Sequence, residues 1–263
     1  FGSINDPIYK NSTLIFKDYE AFLDSKSKKF DVPYYGRINT YTTRRFEKLV
    51  SKIYESKSSL ITSSGLSAIT LTFLSFLKKN DEILLTENCY EPVYNFAEKN
   101  LKGFGVISKY YPSNQIKELQ KLITSKTKII YIESPGSLNF EVEDLEKIIL
   151  IAKSKKILTI MDNTWSTFLG CNPLKYGVDI VIESATKYFS GHSDNFLGLI
   201  AMNSENHRKK IKQSAVSMGD FVSAESCFEA SKGLKTLKIR MEKHEFNAKK
   251  VFDYLKSKKI VSN

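Results

Sequence analysis

Two apolar stretches of the chain, residues 157–161 and 178–183, each lead into a side chain that could hold a cofactor. Short apolar runs of this kind predict buried strands. The first run is followed by Asp162, and the second by a series of small hydroxyl residues that contains Lys187. Because small molecules bind beyond the carboxyl ends of the strands in open α/β sheets, we expect these side chains to face one ligand. An amine and an acid suit pyridoxal phosphate (PLP), whose aldehyde forms a Schiff base and whose ring nitrogen is held protonated.

Both residues also have an ordinary structural interpretation. An aspartate in a low-dielectric pocket can keep a pyridine ring cationic, and a cationic ring stabilises a neighbouring carbanion. Asp162 could equally cap the segment that follows it. Lys187 must be deprotonated to attack an aldehyde or to accept a proton. It could be one more solvated lysine, but its position after an apolar strand, among small hydroxyl residues and Gly191, favours the functional interpretation.

A phosphate site is indicated where a predicted strand turns into a helix at Ser63, Ser64 and Gly65. The free backbone N–H groups and the dipole at a helix N-terminus attract anions, and glycine allows a close approach of the backbone. The hydroxyl groups of Ser64, Ser184 and Thr186 could add donors. By itself the tripeptide is more typical of an N-cap serine with a turn glycine. The lysine at a neighbouring strand end is what favours a phosphate site.

Tyr90 follows a third predicted strand, residues 82–86, at the same edge of the sheet. Its ring could lie over a planar cofactor. A tyrosine in this position could also serve only in packing.

The chain that must position these residues alternates between short apolar runs and segments of helical spacing. Strands are predicted at 59–62, 82–86, 106–110, 128–133, 157–161, 178–183 and 197–202. Helices are predicted at 42–54, directly after Gly65, and at 92–102, 114–124, 142–155 and 224–256. This alternation predicts an α/β fold with a mainly parallel sheet that is covered on both faces.

The composition is that of a globular, basic protein. The 263 residues are 41% hydrophobic, and 40 Lys and Arg against 29 Asp and Glu give a formal net charge of +11. Such a charge would suit a nucleic-acid binder, which we keep as an alternative. The lysines are nevertheless spread along predicted helices without interleaved aromatic residues, so solvated helix faces explain them better. We therefore expect no nucleic-acid partner.

The cysteines, histidines and apolar runs indicate a protein of the reducing cytoplasm. The three cysteines are isolated, and the three histidines lack the spacing of metal ligands. A disulfide framework or a zinc site is therefore not expected. No apolar run reaches the roughly 18 residues of a membrane span, and no signal peptide opens the chain. We expect a cytoplasmic protein without a membrane partner.

Several ordered motifs together resemble one family. They are the segment from Ser184 to Tyr188 followed by Gly191 to Asp194, the segment from Asp162 to Thr164, the segment from Tyr35 to Arg37, and the pair Ser64 and Gly65. In this order they resemble the Cys/Met-metabolism PLP-dependent enzymes, the fold-type I family of cystathionine lyases and synthases. The resemblance runs from about Gly2 to the last helix. Residues 90–92, 133–137 and 162–165 are similar to the bacterial cystathionine β-lyases, because γ-enzymes usually carry asparagine where Ser137 stands.

The resemblance implies roles for the residues of the predicted site. Lys187 would carry the cofactor and act as base and acid on the substrate, and Asp162 would pair with the pyridine nitrogen. Tyr90 would stack on the ring and assist near the substrate amine. The phosphate would be held on one side by the residues Ser64, Gly65, Leu66, Ser184 and Thr186.

The resemblance also implies an oligomer and a domain division. Tyr35 and Arg37 would reach the phosphate of a neighbouring subunit, so the active unit is expected to be a dimer, and in this family usually a tetramer formed as a dimer of dimers. Residues 1–40 would form the arm that contacts the neighbour, and 41–223 the aspartate aminotransferase-like, three-layer large domain. Residues 224–263 would be a long helix leading to a small C-terminal domain, which is expected to be largely missing.

The reaction that the resemblance implies is β-elimination of L-cystathionine to homocysteine, pyruvate and ammonia in methionine biosynthesis. A cystathionine γ-synthase or γ-lyase is the nearest alternative. The family's Asn-Pro-Thr is replaced here by Asn39, Thr40 and Tyr41, and the arginine that binds the substrate carboxylate is expected beyond the last residue. A truncated protein that binds PLP without turnover is therefore a further alternative.

Overall fold

A central sheet of mostly parallel strands organises the computed structural model, which describes residues 4–137 and 139–258. Within these ranges the strands are β1 (Ser58–Thr62), β2 (Glu82–Thr86), β3 (Ile107–Tyr111), β4 (Thr127–Glu133), β5 (Leu158–Asp162), β6 (Ile180–Ser184) and β7 (Gly198–Met202). Their order across the sheet is β1-β7-β6-β5-β4-β2-β3. All neighbouring pairs are parallel except those of β7, which runs antiparallel to β1 and β6. The predicted α/β class is confirmed, and every predicted strand lies within two residues of an observed one.

Helices cover the sheet and extend beyond it. They are α1 (Tyr19–Ser27), α2 (Tyr41–Tyr54), α3 (Gly65–Phe76), α4 (Glu91–Phe96) continued by a π-helical turn (Ala97–Leu101), α5 (Ile116–Leu122), α6 (Leu145–Lys155), α7 (Thr167–Gly170), α8 (Pro173–Tyr176), α9 (Glu205–Ser217) and α10 (Ala224–Lys256). The predicted final helix has the bounds of α10. In the described ranges, none of the helices combines the length and the apolarity that crossing a membrane requires.

The sheet is buried on both faces except at the edge strand β3, as the continuous apolar runs predict for its central strands. Alternate residues of β4 point to opposite sides, so that Ile130 packs into one cluster and Ile129 into the other. The first cluster includes Phe46 and Val50 of α2, which stand four residues apart on one helix face, and the second includes Phe73 of α3. Two helical layers with the sheet between them give the three-layer architecture.

Local signals fix where α2 and α10 begin. Thr40 and Thr43 form a reciprocal capping box at the start of α2, and the Ser223 side chain accepts a hydrogen bond from the backbone of Ser226 at the start of α10. These caps coincide with the predicted domain limits at 40 and 223, although the division itself stays a prediction. Residues 1–3 of the predicted arm and 259–263 of the predicted last segment lie outside the described ranges.

The predicted N-terminal arm contains a helix that the sequence pattern did not indicate. Helix α1 begins after Asp18, whose side chain accepts a hydrogen bond from the backbone of Ala21, and none of the α1 residues is buried. Without a buried stripe the helix has no apolar periodicity to detect. Its formation rests on this N-cap and on aromatic packing outside the core, such as Phe16 against Phe22 at 5.6 Å between ring centroids.

The arm is fastened to α9 by cationic side chains. Arg208 is almost fully buried, pairs with Asp31 and donates to the Phe30 carbonyl oxygen at 3.3 Å. Lys212 Nζ donates to the Ile38 carbonyl oxygen at 2.8 Å. These contacts hold the segment that carries Tyr35 and Arg37 against the large domain.

Candidate active site

A cavity of about 530 Å³ opens at the carboxyl edge of the sheet. It is lined by side chains that follow β2, β4, β5 and β6, which are Glu87, Asn88, Cys89, Tyr90, Glu91, Glu133, Ser137, Asp162, Thr164, Trp165, Lys187 and Tyr188. Three residues singled out from the sequence, Tyr90, Asp162 and Lys187, therefore meet in one cavity. Parallel strands produce this arrangement because their carboxyl ends share one edge.

Lys187 reaches the cavity from the loop between β6 and β7. This loop begins with a tight turn in which the Lys187 backbone N–H donates to the Ser184 carbonyl oxygen at 3.1 Å. The turn closes at Gly191, whose N–H donates to the Lys187 carbonyl oxygen at 2.7 Å and whose φ of +77° favours glycine. Lys187 Nζ lies 5.2 Å from the centroid of the Tyr90 ring. An exposed amine thus faces an aromatic ring across the cavity.

Asp162 is the last residue of β5 and lies at the cavity wall, only 8% exposed. Burial raises the pKa of its carboxyl group, while hydrogen bonds from Thr164 and the positive charge of Lys187 act in the opposite direction. The Thr164 backbone N–H donates to Asp162 Oδ1 at 2.9 Å, so Asp162 orders the turn after β5, whereas the N-cap of the next helix, α7, is Ser166. One carboxylate oxygen caps the following turn, and a cation in the cavity would stabilise the ionised form of the group.

Glu133 is a site residue that the sequence analysis missed. It ends β4, lies directly opposite Asp162 in the parallel register and is 3% exposed. Burial, and then the nearby Asp162 charge, raise the pKa of Glu133 to about 7. The sequence offered one signal, the position of Glu133 at the end of a predicted strand. That this strand lies beside the strand of Asp162 is shown only by the order of the sheet.

Gly65 and Ser184 form a close contact beside the cavity. A Cβ atom at position 65 would lie 2.6 Å from Ser184 Cβ, so only glycine fits without a shift. The Ser184 backbone N–H donates to Thr164 Oγ1 at 2.8 Å, and Thr164 lines the cavity. Leu66 follows in the first turn of α3. The N-terminus of α3 and the end of β6 therefore form a cradle in which backbone N–H groups can meet a phosphate.

The two other hydroxyl groups of the predicted phosphate site have protein partners. Ser64 caps α3, its Oγ accepting from the Ser67 backbone N–H at 3.0 Å, so the N-cap interpretation is correct. Thr186 Oγ1 accepts from the Leu197 backbone N–H at 3.0 Å. Thr186 Oγ1 also donates to the Leu197 carbonyl oxygen at 3.4 Å, whereas the Ser64 hydroxyl still has a proton to donate. Ser64 and Thr186 lie near the cradle with their orientation set by the backbone.

An acidic side chain also lies at the start of α3. Asp220 Oδ1 accepts from Ser63 Oγ at 2.6 Å and from Ser67 Oγ at 2.7 Å. The segment between α9 and α10 carries Asp220, so this contact joins parts of the chain 157 residues apart. No local pattern in the sequence indicated it.

Tyr35 and Arg37 do not line the cavity of their own chain. They border a separate pocket of about 400 Å³, together with residues of the arm and the start of α10. Arg37 Nη1 donates to the Val216 carbonyl oxygen at 2.8 Å, and Tyr35 is 39% exposed. Their predicted contact with a neighbouring subunit stays a prediction.

The cavity and the cradle fit PLP. Lys187 can bind an aldehyde, Asp162 can pair with a ring nitrogen and Tyr90 offers a ring face. Because position 65 is glycine, the N-terminus of α3 can pack against Ser184, and its backbone N–H groups lie at the strand end that leads into Lys187. No cluster of three or more potential metal ligands occurs among the described side chains.

Comparisons with known proteins agree with this fit. The chain is 35% identical to the L-alanine/L-glutamate racemase of Wolbachia pipientis, over 97% of this chain and 65% of the relative. It is 32% identical to the cystathionine beta-lyase of Lactococcus lactis subsp. cremoris, over 99% of this chain and 66% of the relative. The chain thus spans about two thirds of the length of these relatives. The crystal structure of metB from Corynebacterium glutamicum superimposes with a TM-score of 0.92 at 28% identity, over 100% of this chain and 66% of that one.

The sequence model of the family described as Cys/Met metabolism PLP-dependent enzyme matches residues 1–263, from one end of the chain to the other. With the strand-end lysine, the buried aspartate and the glycine cradle in one site, this match means that the chain belongs to the Cys/Met metabolism PLP-dependent enzyme family and that its cofactor is PLP.

Proposed function

We propose that the protein is a carbon–sulfur lyase that performs β-elimination on L-cystathionine, releasing homocysteine, pyruvate and ammonia. The observation that carries the proposal is the cavity in which Lys187, Tyr90 and Asp162 meet beside the Gly65 cradle. Relatives named cystathionine beta-lyase support the choice of reaction. Methionine biosynthesis in the cytoplasm is the setting that we propose.

The residues of the cavity have separate tasks in this reaction. Bound PLP supplies an electron sink that stabilises a carbanion at the substrate Cα. Lys187 holds the cofactor between turnovers, and its Nζ then removes the Cα proton and later returns a proton. The Asp162 carboxylate would pair with the ring nitrogen of bound PLP and favour its protonated, positively charged form. Tyr90 covers one face of the cavity and limits the entry of water.

Trp165 and Tyr188 add aromatic side chains to the wall of the cavity, and Phe140 packs on Trp165 from outside the lining. The Trp165 and Phe140 ring centroids are 5.0 Å apart, and those of Trp165 and Tyr188 are 6.5 Å apart. An apolar wall lowers the local dielectric constant, and electrostatic interactions in the cavity become stronger as a result. The Lys187 amine and the Asp162 carboxylate would therefore act more strongly on a bound substrate than they would in water.

We further propose that the functional unit is a homo-oligomer. The arm presents Tyr35 and Arg37 on the surface of the chain, outside its own cavity. In a dimer these side chains would complete the phosphate site of the neighbouring subunit, and a dimer of dimers would follow the resemblance. Measuring the molar mass in solution, with and without PLP, tests this proposal, and a monomer under both conditions would contradict it.

Racemisation is a second candidate, because the relative from Wolbachia pipientis is named L-alanine/L-glutamate racemase. Both reactions begin with removal of the Cα proton. They differ in the next step, because a lyase expels a group from Cβ while a racemase returns the proton to the other face. The lysine, the acid and the ring of this cavity would serve either reaction.

The experiment that tests the proposal compares the protein with its Lys187→Ala and Lys187→Arg variants after addition of PLP. The lysine-bound cofactor has a visible absorption band, which should be present in the parent and missing in both variants. Arginine keeps the positive charge but cannot form the Schiff base, so it separates charge from chemistry. Lys175→Ala, at an exposed ion pair away from the cavity, is the control. A band that survives in Lys187→Arg would refute the assignment of the lysine.

Product analysis then separates the reactions. Pyruvate from L-cystathionine supports β-elimination, whereas 2-oxobutyrate as the only keto product contradicts it and indicates a γ-enzyme. D-alanine formed from L-alanine, without either keto acid, would favour the racemase. A normal absorption band with no product would favour a protein that binds PLP without turnover.

A further inference from the structure

Glu133 is a second buried carboxylate at the wall of the cavity, and none of the tasks proposed for the reaction involves it. It lies beside Asp162 in the sheet and is 3% exposed. Placing two carboxylates side by side in a buried site is unfavourable unless each has specific partners. The partners of Glu133 therefore indicate why an acid is placed there.

Both oxygens of Glu133 accept hydrogen bonds from loops that border the cavity. Oε2 accepts from the Tyr90 backbone N–H at 2.7 Å, and Oε1 accepts from Ser137 Oγ at 2.5 Å. The two loops are also joined directly, because the Ser137 backbone N–H donates to the Asn88 carbonyl oxygen at 2.9 Å. Glu133 thus links the end of β4 to the backbone of Tyr90 and to the loop that carries Ser137.

The hydrogen bond to Glu133 anchors the backbone at Tyr90. Tyr90 stands at the N-cap position of α4, and its side chain makes no capping hydrogen bond. Its ring therefore projects freely into the cavity, 40% exposed and 5.2 Å from Lys187 Nζ. The Tyr90 carbonyl oxygen accepts from the backbone of α4, and the bond from the Tyr90 N–H to the Glu133 carboxylate holds the other side of the backbone from which this ring projects.

We infer that Glu133 is a positioning residue whose carboxylate holds the Tyr90 backbone, so that the Tyr90 ring lies at a defined place over the cofactor. The inference rests on the proposed function in one respect, the stacking of Tyr90 on PLP. An ionised carboxylate accepts on both oxygens. A protonated one can donate to Ser137 Oγ, because that hydroxyl can also accept, and its other oxygen then accepts from the Tyr90 N–H as a neutral group. The bond to Tyr90 is weaker in this state, because hydrogen bonds to an ionised acceptor are the stronger ones.

Protonation of Glu133 therefore couples the position of Tyr90 to pH. The charged and titratable groups that face Glu133 are Asp162 on β5, Lys187 in the loop after β6, Cys89 before Tyr90 and Tyr131 on β4. Burial and the Asp162 charge favour the neutral acid. The bonds from Ser137 and Tyr90 and the charge of Lys187 favour the carboxylate, so that the pKa of Glu133 lies at about 7. Tyr90 is accordingly held firmly above this pH and loosely below it.

The test uses Glu133→Gln, which keeps the size of the side chain but cannot carry charge. In the protein without cofactor, the hydrogen-exchange protection of the Tyr90 amide should fall by roughly fivefold, as expected when a hydrogen bond to a charged acceptor becomes one to a neutral amide oxygen. In the PLP-loaded protein, the visible circular dichroism of the cofactor should change between pH 6 and 8 for the parent and stay constant for Glu133→Gln. Ser137→Ala should weaken the same pH response without abolishing it.

The matched control is Glu143→Gln. Glu143 is also a buried carboxylate, 5% exposed, and it accepts from Thr86 Oγ1 and from the Asn114 backbone N–H, each at 3.0 Å, but it does not line the cavity. This variant should keep the protection of the Tyr90 amide and the pH response. Unchanged Tyr90 protection in Glu133→Gln would overturn the inference. Failure of the parent to form the lysine-bound cofactor would instead contradict the proposed function, while amide exchange without cofactor still tests the contact.

Discussion

Gly65 faces Ser184 so closely that a Cβ atom at position 65 would lie 2.6 Å from Ser184 Cβ and 3.0 Å from its Cα. The first residue of α3 is thereby packed against the last residue of β6. This contact brings a helix N-terminus to the strand end that leads into Lys187. The backbone of Gly65 thus packs on the Cα and Cβ atoms of Ser184, which can move little without shifting the end of β6.

Gly65→Ala should therefore disrupt PLP binding as well as the fold. We expect a loss of about 1 to 3 kcal/mol in the free energy of unfolding, typical of overpacking against atoms that cannot move aside. The dissociation constant of PLP should rise by about tenfold or more, because the cradle widens. Urea unfolding and cofactor titration measure the two effects. Gly103→Ala is the control, since no atom lies within 4 Å of a Cβ there, and an equal loss in both variants would contradict the explanation.

Asp162→Asn should make the apoprotein more stable and the enzyme less active. Because burial raises the pKa of Asp162 in the folded chain, its ionised form destabilises the apoprotein above the ordinary aspartate pKa of about 3.9. Asparagine removes that cost while its oxygen can still accept from Thr164. We expect higher stability of the apoprotein at pH 7, a gain that disappears as the pH falls toward 4, and turnover lower by about 10²- to 10³-fold.

Thermal unfolding at the two pH values and steady-state kinetics test this prediction. Asp179→Asn is the matched control, because Asp179 accepts from Thr159 N and Oγ1, each at 2.9 Å, away from the cavity. Turnover should be little changed in that variant. An Asp162→Asn protein that is less stable than the parent at pH 7 would show that the Asp162 charge is already compensated in the apoprotein.

Tyr90→Phe and Tyr90→Ala separate the ring from the hydroxyl group. Phenylalanine keeps the ring face opposite Lys187, so the affinity for PLP should change by less than about threefold. Alanine removes the ring, and affinity should fall by roughly fivefold, the equivalent of an aromatic contact of about 1 kcal/mol. Titration of the apoproteins with PLP gives both values. Equal affinities of the two variants would exclude stacking by Tyr90.

Arg208→Met should release the N-terminal arm from α9. The Arg208 side chain is 5% exposed and bonds to Asp31, Glu205 and the Phe30 carbonyl oxygen. Since Asp31 and Glu205 are half-exposed, they can be hydrated after the change. The expected loss is therefore about 2 kcal/mol, the scale of hydrogen bonds to charged groups, and not the larger cost of an isolated buried charge.

Urea unfolding and limited proteolysis of the arm test this change. Lys175→Ala breaks the ion pair of Lys175 with Glu55, whose side chains are 58% and 66% exposed. That pair should contribute at most about 0.5 kcal/mol, because water competes for both charges. Similar losses in Arg208→Met and Lys175→Ala would mean that the burial of Arg208 contributes nothing to the free energy of unfolding.

The sequence by itself determined the positions of the strands and the residues at their ends. Strands buried on both faces appear as continuous apolar runs, so residues 82–86 were predicted with the bounds that β2 has. Asp162 and Lys187 could be related to one cofactor because parallel strands end at one edge of a sheet. Helix α10 was also predictable, since its N-cap at Ser223 and its long helical pattern are local signals.

Only the tertiary structure decided which strand ends are neighbours. The order of the strands, and the antiparallel direction of β7, depend on how distant segments pack and leave no mark in any short window of sequence. For that reason Glu133 was not recognised as the partner of Tyr90, 43 residues away, and Asp220 was not expected at Ser63. Both contacts satisfy polar groups whose partners lie far along the chain. Local sequence patterns predicted which side chains stand at the edge of the sheet. The packing of distant segments determined the partners that orient these side chains.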